Sequence, residues 1–113
     1  MKINRQKVLN RYNSRCAYCG KPITLKTMQI DHVVPKARKW KVTNVNDYEN
    51  LLPACASCNL YKRNHSLEGF RKKYLGMLDK RLAKQFTVRV GMDYNIVKLQ
   101  PWDRLFYFEK VKG

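Results

Sequence analysis

The chain has 113 residues, with 24 Lys and Arg against 8 Asp and Glu, a net charge of +16 and a pI near 10. This length suits one domain with one modest core, no stretch approaches the roughly 18 uninterrupted apolar residues of a membrane span, and the N-terminus lacks the apolar core of a secretory signal, so a cytoplasmic protein is expected. So strong a positive charge points to a polyanionic partner, and the spread of cations along the whole chain argues against an anchor lying on a membrane surface.

In chain order, Ile3, Val8, Leu9 and Tyr12 recur at loosely helical intervals and predict a short helix ending before Arg15. "CAYCGKP" follows, with Gly20 and Pro22 marking a tight turn; "IT" and "MQIDHVV" are strand-like, and Pro35 closes the second of them. Residues 36 to 47 read as a basic loop. "YENLLPAC" predicts an extended segment and "ASCNLYKRN" a helix of about two turns, which gives a β, β, α unit.

Ser66 is a candidate N-cap for a longer helix in which Leu67, Phe70, Tyr74, Leu78 and Leu82 form an apolar stripe, read as core packing. In the tail, "FTVRV" and "RLFYFEKV" look like strands, while a helix around residues 87 to 94 fits nearly as well. The tail aromatics Phe86, Tyr94, Trp102, Phe106, Tyr107 and Phe108 are read as core rather than as base-stacking platforms.

The four cysteines form two C-x-x-C pairs, Cys16/Cys19 and Cys55/Cys58. A reducing cytosol disfavours two disulfides, and a redox C-x-x-C has no reason to occur twice; two residues between cysteines let both thiolates reach one tetrahedral zinc. Four thiolates close the coordination sphere, so the expected zinc is structural.

Between the pairs lie Asp31, His32 and Asn50, and Asn59 follows Cys58 directly. The first 46 residues carry eleven basic side chains and only one carboxylate, Asp31. The series C-A-Y-C, D-H-V-V-P and N-L-L-P-A-C-A-S-C-N, with Lys62 and Asn64 after it, resembles the HNH (ββα-metal) nucleases, in the zinc-bearing form of small bacteriophage and homing enzymes. The resemblance covers residues 16 to 65. It implies an α+β fold: a ββα-metal core stapled by a four-cysteine zinc site, with an N-terminal helix and a helical or mixed extension over residues 66 to 113, all in a single nuclease domain.

By the same resemblance, His32 is the general base, Asn50 orients it, and Asp31 and Asn59 hold one Mg2+ or Mn2+. Many relatives have histidine at the last position, and Asn59 keeps an oxygen ligand there. The chemistry is consistent: histidine is the residue type whose ordinary titration lies nearest neutrality, and a hard divalent cation takes oxygen ligands. Because neighbours on a strand face opposite ways, a twist or bulge is expected to bring Asp31 and His32 to one phosphate.

The implied activity is metal-dependent hydrolysis of double-stranded DNA in a bacterial or phage-infected cell, with a partner protein in phage DNA processing left open and the number of protomers unread. Expected DNA or phosphate contacts are Lys62, Arg63 and His65 on or beyond the helix, and Lys36, Arg38, Lys39 and Lys41 in the basic loop, beside Trp40. The alternative is a non-enzymatic zinc-ribbon module that grips nucleic acid, which has no need of Asp31, His32 and Asn59 together.

Overall fold

The computed structural model describes residues 3–34 and 48–111. The loop cluster Lys36, Arg38, Lys39, Trp40 and Lys41 lies outside the described residues. The fold is mixed α and β, a small hairpin with helices and a cysteine cluster, as the α+β reading expects. The chain forms two compact units, residues 1–67 with 105–113, and residues 68–104.

In the first unit, helix α1 (Arg5–Asn10) begins where the Asn4 side chain accepts the Lys7 N–H at 3.1 Å, and it buries Val8 and Leu9. Strands β1 (Gln29–His32) and β2 (Leu51–Ala54) pair antiparallel, with Asp31 opposite Leu52 and His32 opposite Leu51. Pro53 has no N–H to give, which a strand of a two-stranded sheet tolerates, and its carbonyl instead accepts the Ala17 N–H at 2.8 Å. All four residues of β2 are buried. Helix α1 packs against β2, and helix α2 (Ala56–Lys62) packs against β1.

The expected strand at "IT" does not form, and only a single bridge between Arg15 and Pro22 precedes it. The stretch "RLFYFEKV" is also not a strand. It contributes a short C-terminal helix (Tyr107–Lys110), which the Glu109 carboxylate caps by accepting the Phe106 N–H at 2.9 Å. Phe106 is fully buried and meets the Tyr18 ring edge-on at 5.2 Å, so it is core as expected, while Trp102, Tyr107 and Phe108 are half-buried.

In the second unit the anticipated long helix is broken into α3 (Leu67–Gly69, whose first residue belongs to the first unit), a π segment (Phe70–Tyr74), a 3-10 turn (Leu75–Met77) and α4 (Leu78–Ala83). Changing the winding frees backbone carbonyls, and Arg81 satisfies two of them, donating to Lys73 O at 2.9 Å and Tyr74 O at 2.7 Å. Of the predicted stripe, Phe70 is buried while Leu67, Tyr74, Leu78 and Leu82 are half-buried. "FTVRV" opens helix α5 (Phe86–Asp93), which settles the open choice in favour of helix. Phe86 and Tyr94 are about three-quarters exposed, at 73% and 74%, so the core reading fails for these two. Among the described residues, no helix is long and apolar enough to cross a membrane.

Candidate functional site

The cysteine cluster is built from two local turns. In the first, the Cys16 N–H donates to Lys21 O and the Gly20 N–H to Cys16 O, both at 2.9 Å, which requires Gly20 to sit at φ +82°. In the second, Cys55 is the N-cap of α2, and its sulfur accepts the Cys58 N–H at 3.4 Å. The four sulfurs lie within 4.8 Å of one another, and Cys19 Sγ is 3.9 Å from Cys55 Sγ. A tetrahedral zinc with bonds of about 2.3 Å has sulfur-to-sulfur edges of about 3.8 Å, whereas a disulfide needs about 2.0 Å. The donor set therefore fits a structural zinc ion.

Within the cluster the thiols oppose one another's ionisation. A hydrogen bond from the Cys58 thiol holds Cys16 down to about 4, and the same bond pushes Cys58 far above the ordinary thiol range. Burial pushes Cys19 up as well. Only a cation can let all four sulfurs be thiolates at once.

Next to the cluster, strand β1 carries Asp31 inward. Its Oδ2 accepts a hydrogen bond from the Tyr18 hydroxyl and lies 3.2 Å from Lys62 Nζ. The Lys62 side chain is fully buried, and its ammonium also donates to the His32 carbonyl at 3.1 Å. Burial raises the Asp31 carboxyl above its usual range and outweighs the opposing pull of the Lys62 ammonium. Burial and the Asp31 charge hold the Tyr18 hydroxyl well above its usual value, so it remains a donor.

Two residues before Asp31, and so on the same strand face, the Gln29 side-chain oxygen accepts from Asn59 Nδ2 at 2.5 Å. Asn59 and Lys62 are three apart on α2, which puts them on one helical face. The hairpin and helix are thus stitched twice, Gln29 to Asn59 and Asp31 to Lys62. This brings Asp31 and Asn59 to the same interface. The Asn59 bond uses the amide nitrogen and leaves its carbonyl oxygen unused among the described residues.

His32 is half-buried at the end of β1. The pairing register runs unbroken through it, so the expected bulge is absent from the strand, and alternation sets its side chain on the other face from Asp31. It still lies near enough for its charge to favour the Asp31 carboxylate. Beyond it the backbone is held by Asn50, whose side chain accepts the Val34 N–H at 2.8 Å and donates to Val34 O at 3.1 Å, while Asn50 O accepts the Val33 N–H at 3.0 Å. Arg11 steadies Asn50 from both sides, donating to Tyr48 O at 3.1 Å and to Leu51 O at 3.2 Å.

The expected phosphate contacts fare unequally. Lys62 faces inward and is ion-paired, so it does not offer its charge to a ligand, contrary to the expectation from sequence. Arg63 is exposed, in a backbone conformation of φ +51° and ψ −128°, and His65 is half-buried. Tyr18 and Gln29 were missed from sequence. Strand period would have found Gln29, two positions from Asp31; Tyr18 had only its place between two zinc ligands as a signal.

Residues 16–65 match the model of the HNH endonuclease family. The CRISPR-associated endonuclease Cas9 of Corynebacterium diphtheriae is 36% identical over 78 residues, a match that takes in 61% of this chain and 7% of that protein. The type II-C Cas9 enzyme from Actinomyces naeslundii superposes with a TM-score of 0.53 at 24% identity, over 86% of this chain and 11% of that one, a likeness of fold. The chain therefore spans a small fraction of the relatives it matches. What it carries is an HNH-nuclease-like domain with a cysteine cluster able to chelate a metal.

Proposed function

We propose that this chain is a metal-dependent endonuclease that hydrolyses phosphodiester bonds of double-stranded DNA. The observation that carries the reading is the double stitch between β1 and α2, which gathers Asp31 and Asn59 at one interface, with His32 the next residue along the strand. The net charge of +16 supports a polyanionic substrate, and the family match over residues 16–65 supports nuclease chemistry.

In this reading His32 takes a proton from water, the resulting hydroxide attacks phosphorus, and the bond to the 3′ oxygen breaks, that oxygen leaving with a proton from solvent. Asn50 orients His32 indirectly, by fixing the Val33 and Val34 backbone that follows it. Asp31 and Asn59 fit a hard cation because each offers an oxygen that no described residue takes. Mg2+ or Mn2+ bound there supplies neutralisation of charge on the phosphate. Arg63 and His65 hold the DNA backbone in this reading, and Lys36, Arg38, Lys39 and Lys41 are assigned the same role from their charge. One such site cuts one strand.

The test is a supercoiled plasmid incubated with the zinc-loaded chain in Mg2+, in Mn2+ or with neither added. Nicked circles in either metal and none without added divalent metal are expected. Tight binding of intact plasmid in every metal would instead leave a non-enzymatic zinc-ribbon binder.

A further inference from the structure

Both partners of Asp31 come from segments anchored on the cysteine cluster. Tyr18 sits between Cys16 and Cys19, and Lys62 is on α2, which Cys55 caps and Cys58 joins. The backbone around Tyr18 is pinned three times: the Ala17 N–H donates to Pro53 O, the Phe108 N–H donates to Ala17 O, both at 2.8 Å, and the Tyr107 N–H donates to Tyr18 O at 3.0 Å. Its ring is held edge-on by Phe106 at 5.2 Å and by Phe108 at 6.2 Å. Only 3% of the residue is exposed.

Packing alone would be served by phenylalanine, and a buried hydroxyl costs free energy unless it finds a partner. Here the partner is the one carboxylate of the β1 strand, and Tyr18 and Lys62 both engage the same oxygen, Oδ2. We infer that Tyr18 is a positioning residue for the Asp31 carboxylate: its hydroxyl, carried on the cysteine turn, fixes Oδ2 and reserves Oδ1 as the ligating oxygen. The inference rests on the proposed role of Asp31 in holding a divalent cation. It makes the cysteine cluster more than a staple, because the turn that a structural zinc would order also delivers the hydroxyl that orders the site.

The test uses the full zinc-loaded chain and its Tyr18→Phe, Asp31→Asn and double variants, with Mn2+ binding followed by electron paramagnetic resonance. Zinc content and circular dichroism check each fold, and phenylalanine retains the ring contacts with Phe106 and Phe108. Removing an outer hydrogen-bond partner of a metal ligand is expected to weaken Mn2+ binding about 10- to 100-fold in Tyr18→Phe. In the Asp31→Asn background the same change should have no further effect, since the hydroxyl acts through the carboxylate. Mn2+ binding by Tyr18→Phe equal to wild type, where Asp31→Asn binds weakly, overturns this inference alone. Equal binding by Asp31→Asn and wild type overturns it together with the proposed metal site.

Discussion

Lys62 Nζ lies 3.2 Å from Asp31 Oδ2 and 3.1 Å from the His32 carbonyl oxygen, so one buried ammonium on α2 holds two consecutive residues of β1. Breaking a buried pair from one side strands a charge and costs about 3 to 5 kcal/mol, whereas replacing both partners with apolar groups is close to neutral. Lys62→Met is therefore expected to lower the urea midpoint steeply, and Lys62→Met with Asp31→Leu and Tyr18→Phe, which also removes the hydroxyl bound to Asp31, to recover most of the loss. If Lys62→Met unfolds at the wild-type midpoint, the ammonium is not the internal partner described.

Arg63 occupies a region of backbone space that suits glycine, directly after the helix that carries Asn59 and Lys62. Holding a side chain there costs on the order of 1 to 3 kcal/mol, part of which glycine would return as greater freedom of the unfolded chain. Arg63→Gly should gain about 1 kcal/mol in urea denaturation. It should also weaken DNA binding and reduce the salt slope by about one. A destabilised variant, or one with an unchanged slope, would contradict this account of Arg63.

Asn50 makes two side-chain bonds to Val34. Asn50→Asp keeps the acceptor for the Val34 N–H and sets a carboxylate against the Val34 carbonyl. A loss of about 1 to 3 kcal/mol is expected, with nicking falling further than stability because His32 is held by the same backbone. Thermal melts and single-turnover cleavage, measured on one preparation, separate the two effects.

Gly20 and the cysteine cluster make a linked prediction. A Cβ at Gly20 would lie 3.0 Å from Tyr107 Cδ1 and would be forced to φ +82°, so Gly20→Ala should weaken zinc retention and lower the melting temperature. Structural zinc contributes about 10 to 16 kcal/mol, more than most small domains have in reserve, so a strong chelator should unfold the wild type. Acid acts in the same direction: thiolates bind the metal, so stability is present at neutral pH and lost as falling pH returns protons to sulfur. A melting temperature that ignores both chelator and pH would rule out a zinc-dependent fold.

The elements legible in sequence were those specified locally. Paired C-x-x-C turns carry their own spacing, and the ββα order around Asp31, Asn50 and Asn59 follows from short segments with clear ends. The second unit was harder, because the Val and Thr of "FTVRV" suggest a strand by a propensity worth only about 1 kcal/mol, which surrounding helices override in α5. The broken winding from Leu67 to Ala83 depends on Arg81 reaching carbonyls seven and eight residues back, which no periodicity reveals. Lys62 misled for another reason. Lysine is ordinarily exposed, and its buried partners are 30 and 31 positions away on another element.

The most direct test of the whole account is single-turnover nicking of supercoiled plasmid by His32→Ala beside wild type, at equal zinc content and equal DNA occupancy in Mg2+ or Mn2+. Loss of a general base predicts a rate lower by about 10²- to 10⁴-fold with DNA binding retained. Nicking by His32→Ala at the wild-type rate would contradict the assignment of His32.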